Sequence, residues 1–523
     1  MRKRLQGVGV AIAACAVVLT LPSSASAGTA PFTEAQAQKQ LRQVERFEAG
    51  VARIDPTTAL RDLALAAPEL DGAAARRARA ILSRPPDGNP NQDPFGGNWP
   101  GNAVEKTFET SDFIVHWAEI PDCDVADEGC DEPDLTDTSP ANGIPDYVDA
   151  MAAAVEDSIT VENAELGWPE PKGDGNGGEV GPSPSTDRFD VYIADLCAGQ
   201  QCVFGYANTD DNSSECTNAP FKCSAYLVND NDYSEFGASG GLLGVRVTTA
   251  HEYNHVLQFN IDANQNAWMF ENTATWMEEQ VFPDDDDWVR SYMDTWAETS
   301  KAPITRFRAG GFLRPYGSSV WNHWLENGDA AYGPDIVLDA WLGSRDTDPK
   351  DYAIGTYDQA IREAGGEGFP QEFTQFTAST AEWAAGDGNL PDAAELPDIV
   401  REGNVTFGEE STEQILDNTS YAVFDVDPDD ADELKLKGRA PGGVQWGLAL
   451  VGRIGDRTTG TVTRVADYSG TDKKNSVGLA DAQLYDRISA VVTNTDGRVK
   501  GPVPNLNAFE YKKNNQKFKL KVR

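Results

Sequence analysis

Apolar positions recur at helical spacing over residues 34–49 and 58–82, among many Ala, Arg and Leu, and predict a helical N-terminal part over 28–85. Pro85-Pro86 closes it, and the Pro/Gly/Asn-rich stretch 87–102 reads as a linker. The next region, 103–400, is mixed. Phe113-Ile114-Val115-His116-Trp117 predicts a strand, 151–166 a helix, and 190–193 and 225–228 two further strands. Helices are expected over 248–259 and 268–279, and the chain then turns mainly helical, most clearly at 318–327 and 334–343. From about 404 the pattern changes to short β-type runs at 404–407, 421–426, 433–437, 446–451, 460–465, 488–493 and 517–522, separated by turn residues. This predicts an all-β sandwich over 401–523. No internal repeat of solenoid or propeller period is present.

The first 27 residues have the form of a signal peptide. Arg2, Lys3 and Arg4 precede an apolar core over 7–21, and Ala25-Ser26-Ala27 ends it as a small-residue cleavage site. Ile12-Ala13-Ala14-Cys15 has the look of a lipoprotein box, but the apolar run continues beyond the Cys. No later segment has the ~18 apolar residues of a membrane span. The expected location is therefore extracellular. Six Cys remain after the leader and fall into close pairs, so disulfides 123–130, 197–202 and 216–223 are expected from proximity. No C-x-x-C spacing supports a Cys metal site. Removing the leader's three basic residues takes the formal charge from −41 to −44, which excludes nucleic acid as a partner. Residues 473–523 run against this trend, with eleven basic and four acidic residues. They read as a solvated strand surface or as a face for an anionic cell wall.

The chemistry lies in His251-Glu252-Tyr253-Asn254-His255, an H-E-x-x-H run in a chain with only four His. Positions i and i+4 share a helix face, so both imidazoles reach one metal ion, and Glu252 is placed to act as general base. A catalytic zinc needs a third protein ligand and an open fourth position. No His follows soon after His255, which argues against a three-His ligand set. The acids of the next helix, Glu271, Glu278 and Glu279, are the candidates. His116 reads as a structural strand residue.

The segment Trp268-Met269-Phe270-Glu271-Asn272-Thr273-Ala274 resembles the W-x-x-E-G-x-A segment of gluzincins, including the aminopeptidase-type group. Glu271 falls on the family's ligand Glu and Ala274 on its Ala, while Asn272 stands in place of Gly and the connection from His255 is shorter. Asn142-Gly143-Ile144-Pro145-Asp146, Leu166-Gly167-Trp168-Pro169, Phe189-Asp190-Val191-Tyr192-Ile193, Ala225-Tyr226-Leu227-Val228 and Tyr316-Gly317 extend the likeness over about 105–345. They are similar to a group of large secreted bacterial metalloprotease-like proteins. The resemblance implies an α+β zincin-like metalloprotease domain with a helical second lobe over 103–400. It also implies zinc held by His251, His255 and Glu271, and a downstream Tyr316 or His323 as oxyanion donor. Thr275 is placed as a hydrogen-bond partner of a ligand His.

The function expected is zinc-dependent hydrolysis of peptide bonds in a protein or peptide substrate, with Glu252 moving the proton. The alternatives are a wall-binding protein that retains a metal site, and a zinc hydrolase of a non-peptide bond. Residues 28–85, with nine basic and seven acidic residues, are expected to cover the cleft as a propeptide until removed. Calcium is the second metal considered. Its candidate oxygens are Asn208, Asp210, Asp211 and Asn212; residues 229–232; residues 284–287; and the partial loop of Asn142, Asp146 and Asp149.

Overall fold

The computed structural model describes residues 32–523 except 51–52, 124–129, 174–187, 199–200, 308–312, 329–330, 345–351, 387–389, 410 and 498–514. The leader expected over 1–27 lies outside them. Helix α1 (Glu34–Glu48) begins at a reciprocal cap, in which Thr33 Oγ1 accepts from the Gln36 amide while the Gln36 side chain accepts from the Thr33 amide. Ala37, Leu41, Val44 and Phe47 form its buried stripe. Helix α2 (Pro56–Ala66) starts where Asp55 accepts from the Thr58 amide and Pro56 fills the first turn. Helix α3 (Gly72–Ile81) follows. The single helix expected over 58–82 is therefore two. Pro68 has no N–H to continue the ladder, and a 3-10 turn at Ala67–Glu69 replaces it.

The stretch 87–102, expected as a loose linker, is packed. Phe95 and Trp99 are 2% and 3% exposed. Phe95 stacks on Phe47, and Trp99 Nε1 donates to the Ile193 carbonyl. Residues 86–92, at its start, stay largely exposed, as do Gly101 and Asn102 at its end. The N-terminal helices share one apolar core with the central region, Leu41 and Leu63 lying in the same cluster as Val191, Leu257 and Trp321.

Strands β1 (Val104–Glu109) and β2 (Phe113–Glu119) form an antiparallel pair. Helix α4 (Asp146–Ser158) crosses to β3 (Phe189–Ala194), which runs parallel to β2. The short β4 (Cys197–Ala198) and β5 (Gln201–Cys202) make a clip closed by a disulfide. Strand β6 (Gly205–Asn208) pairs antiparallel with β7 (Tyr226–Asp230), itself parallel to β3. The order β1-β2-β3-β7-β6 leaves β6 at an edge. Strands β3 and β7 are buried throughout, which explains their continuous apolar runs. His116 is buried within β2 between Glu105 and Asp190, a strand residue as expected. The pairs Cys123–Cys130 and Cys216–Cys223 are also bonded, so all three expected disulfides are present.

Helix α5 (Gly241–Asp262) packs against α4, the β6–β7 edge and helix α6 (Ala267–Val281). Helices α7 (Asp287–Glu298), α8 (Arg314–Gly317), α9 (Val320–Asn327), α10 (Asp335–Leu342), α11 (Ile354–Glu363), α12 (Phe369–Ser379) and α13 (Trp383–Gly386) complete the mixed α/β region. Among the described residues, no helix is long and apolar enough to cross a membrane.

The C-terminal strands are β8 (Arg401–Thr406), β9 (Thr412–Leu416), β10 (Ser420–Asp427), β11 (Leu434–Arg439), β12 (Trp446–Ile454), β13 (Thr461–Tyr468), β14 (Lys474–Leu479), β15 (Arg487–Asn494) and β16 (Gln516–Val522). They form two sheets, ordered β13-β12-β15-β10-β8 and β14-β11-β16-β9. Phe424, Trp446 and Leu448 from the first and Leu436, Phe518 and Leu520 from the second line one apolar cluster. Strands β9 and β14 escape the hydrophobic pattern because they are the polar edges of the second sheet.

Candidate functional site

Helix α5 enters the core at a tight junction. Gly240 lies so close to the Tyr233 carbonyl that a Cβ there would sit 2.3 Å from its oxygen, so only glycine fits. From residue 247 to 259 every side chain is buried, against the sheet on one side and α4 and α6 on the others. In so apolar a setting His251, Glu252 and His255 need partners. Each brings a donor atom within 4.8 Å of the other two.

Helix α6 supplies the rest. Glu271 Oε2 lies 3.2 Å from His251 Nε2 and 3.6 Å from His255 Nε2. Ligand atoms on a tetrahedral zinc with bonds of about 2.0–2.1 Å would stand ~3.3 Å apart. His255 Nε2 and Glu271 Oε1 are buried and make no hydrogen bond. The orphaned His255 Nε2, where the donors converge, and the free second oxygen of the Glu271 carboxylate fit a metal ion. Burial alone would raise Glu271, yet His255 and His251 hold its carboxyl well below the usual range. Of the three acids considered, Glu271 is therefore the one that faces both imidazoles.

The outer ring nitrogens are also fixed. Glu278 Oε1 accepts from His251 Nδ1 at 2.6 Å, and Gln258 Oε1 from His255 Nδ1 at 2.8 Å. Gln258 is braced in turn by Asn254 and by the Phe270 carbonyl. With both Nδ1 atoms donating, a neutral ring would present its Nε2 lone pair to a metal at the common point. Thr275 does not play the part expected of it, since its Oγ1 is buried with no partner. Glu278 lies seven residues after Glu271, two helical turns, and so returns to the same face where Thr275 falls short. Sequence reading named Glu278 only as a rival ligand and missed Gln258, whose one signal was its place three residues after His255.

Glu252 is 6% exposed, and burial raises its carboxyl above the ordinary value. Its Oε2 accepts a hydrogen bond from Thr57 Oγ1 at 3.0 Å, and the same Oγ1 accepts from the Ala207 amide on edge strand β6. The Tyr316 ring stacks over His251 with centroids 5.7 Å apart, and its hydroxyl donates to Asp55 Oδ2 at 2.6 Å. Burial, with Glu271 adding to it, pushes Asp55 up to about 6. A cavity of about 690 Å³, within the size range of ligand sites, is lined by His251, Glu252 and Tyr316 together with Phe47, Arg53 and Asp55 of the N-terminal segment. Thr57 and Asp55 carry no local sequence signal, since their partners lie 195 and 261 residues away.

His323, the other candidate donor, is not brought to this cavity. It is buried face to face with Trp288 at 4.4 Å, both ring nitrogens lack partners, and burial pushes it down to about 3. Three of the four oxygen clusters considered for calcium have their acids taken up by the protein's own donors. Asp146 accepts from the Thr138 and Ser139 amides, Asp211 pairs with Lys172, Asp210 pairs with Arg84, and Asp230 accepts from the Leu196 and Tyr233 amides. Compared with protein-family models and with curated proteins, the chain has no match.

Proposed function

We propose that the chain is a secreted zinc-dependent metallopeptidase whose metal is held by His251, His255 and Glu271. The observation that carries this reading is the convergence of His251 Nε2, His255 Nε2 and Glu271 Oε2, with orphaned atoms at the centre and Glu252 beside it. Zinc in such a site acts as a Lewis acid and lowers the pKa of a coordinated water towards ~7. Glu252, buried and raised, takes the proton from the attacking water on its carboxylate and returns it to the leaving amine. Glu278 and Gln258 hold the two imidazoles in one tautomer and orientation. Tyr316, stacked on His251 with its hydroxyl at the cavity wall, is the oxyanion donor once Asp55 is displaced. The open edge of β6 offers backbone donors to an extended peptide, as the Ala207 amide now does to Thr57. A three-residue ligand set with an adjacent Glu favours catalysis over a structural zinc, which would be closed by another Cys or His.

The same cavity supports a propeptide role for residues 32–85. Thr57 occupies Glu252, and Asp55 occupies Tyr316. The inhibition is steric and hydrogen-bonded, with no Cys in the segment. The paired C-terminal sheets fit the accessory β-sandwich expected from the sequence. The missing long apolar helix among the described residues and the three disulfides fit an extracellular setting.

Metal analysis tests the ligand set. The chain should bind about one zinc, and Glu271→Ala should lose most of it, whereas Glu278→Gln should keep stoichiometry with affinity weakened ~10–100-fold. Zinc retained in Glu271→Ala and lost in Glu278→Gln would move the third ligand. A panel of peptides and simple esters, offered to the zinc-loaded chain, then separates peptide hydrolysis from chemistry on another bond.

A further inference from the structure

The second C-terminal sheet carries a charge pattern that the candidate metal centre does not use. Strands β9, β11, β14 and β16 hold seven basic residues and one acid, in a chain of 43 basic and 84 acidic residues. Alternation turns Leu434, Leu436, Phe518 and Leu520 inward, onto the first sheet. It turns Lys435, Lys437 and Arg439 of β11 outward, with Lys474 of β14 and Lys517, Lys519 and Lys521 of β16. Register then sets like charges side by side. Lys437 lies opposite Lys521, and Arg439 lies between Lys519 and Lys474. Such pairs destabilise a sheet. Glu413, the one acid, pairs with Lys517 and Lys519, and among the described residues no acid pairs with the other five. By sequence, residues 498–514, outside the described ones, hold four basic residues and one acid, so they do not supply the missing counter-charge.

The pattern defines the chemistry of an occupant. Six of the seven cations are Lys, point charges that suit phosphate without demanding bidentate geometry. Along a strand they recur ~7 Å apart, and neighbouring strands add rows ~5 Å away, so a flexible chain of anions can settle on several at once. Phe518, the one aromatic residue of the four strands, is fully buried. The face therefore offers no ring for the base stacking that single-stranded nucleic acid uses. Ile415 is its one exposed large apolar side chain, too little to enter a lipid surface.

We propose that the outer face of β9, β11, β14 and β16 docks a phosphate-bearing polymer of a cell wall and so tethers the chain. The signal-type leader expected over 1–27 would deliver the chain to the outer side of a membrane, where such polymers lie. Helix α12 packs on β12, β13 and β15 of the first sheet. The layers thus run from helices through the first and second sheets to the basic face, and a docked polymer leaves the cavity beside His251 open. The proposal stands on the charge pattern and does not depend on peptidase activity.

The test uses the full chain without its leader and a synthetic poly(glycerol phosphate) as probe, between ~50 and ~200 mM salt. The native chain should bind, with affinity falling steeply as salt rises. Lys437→Gln, Lys519→Gln and Lys521→Gln together should weaken binding about 100-fold at low salt. They should also flatten the log–log salt dependence by about two units, the share of three lost phosphate contacts. Lys39→Gln, Arg42→Gln and Arg46→Gln remove the same charge from the exposed side of α1 and should leave binding nearly unchanged. An equal loss in the α1 variant overturns the proposal, because binding would then follow net charge. Absence of binding at ~50 mM salt overturns it too. Tighter binding to an oligothymidylate or to anionic phospholipid vesicles than to the polymer also overturns it, and makes the occupant a nucleic acid or a membrane. If the triple variant fails to fold by its melting curve, Lys435→Gln with Lys474→Gln repeats the test on β11 and β14.

Discussion

Glu252→Gln is expected to retain zinc and fold while turnover falls by about 10²–10⁴-fold, the usual loss when a general base is removed. The substitution keeps shape and the ability to accept from Thr57, but an amide oxygen cannot take the proton. Glu278 and Gln258, not Glu252, accept from the Nδ1 atoms of the two imidazoles, so the ligand geometry should survive. In the proposed mechanism Glu252 handles the proton and does not hold the peptide, so KM should change little. Matched zinc content, a matched melting curve and a collapsed kcat make up the expected result. Near-normal kcat in a zinc-loaded Glu252→Gln chain removes the proton-transfer role.

The second large effect concerns the N-terminal segment. Cleavage within the exposed residues 86–92, followed by release of 32–85, should raise activity by roughly 10²-fold or more. Closure worth even ~3 kcal/mol leaves only about 1% of the chain open. That closure rests on several contacts. Arg84 is buried against Asp190 and also pairs with Asp210, Arg61 lies over the Phe270 ring and donates to the Gln265 carbonyl, and Phe47 stacks on Phe95. Phe95 and Trp99 fall after the exposed stretch and should stay with the rest of the chain. Protein from culture medium is expected to begin within 86–92. In the uncleaved chain, Thr57→Val with Asp55→Ala frees Glu252 and Tyr316 from their hydrogen bonds and should recover part of the activity. Secreted, fully active enzyme that still carries residues 32–85 would show the segment to be a permanent helical part.

The candidate metal centre was legible because its chemistry is local. The His251–His255 spacing places two rings on one face of α5, and the Trp268–Ala274 segment marks Glu271. The ring-orienting partners were only half legible. Glu278 was visible as an acid and a rival ligand, but its role depends on which helix face meets His251, and the sequence pointed to Thr275 for that role. Tyr316 and His323 looked alike in sequence. The fold separates them by stacking one over His251 and sealing the other against Trp288. The packed stretch 87–102 was misread because Pro, Gly and Asn set its turns while Phe95 and Trp99 decide its burial. The two missed strands, β9 and β14, are polar edges whose pairing is set by their neighbours β16 and β11. Thr57 and Asp55 belong to tertiary structure alone.

The most direct measurement is cleavage of casein and of a mixed peptide library by the processed chain, beginning within 86–92, with and without a zinc chelator. Cleavage should occur, stop with the chelator, and return on adding back about one equivalent of zinc. No cleavage by the processed, zinc-loaded chain, or cleavage indifferent to the chelator, contradicts a zinc peptidase centred on His251, His255 and Glu271.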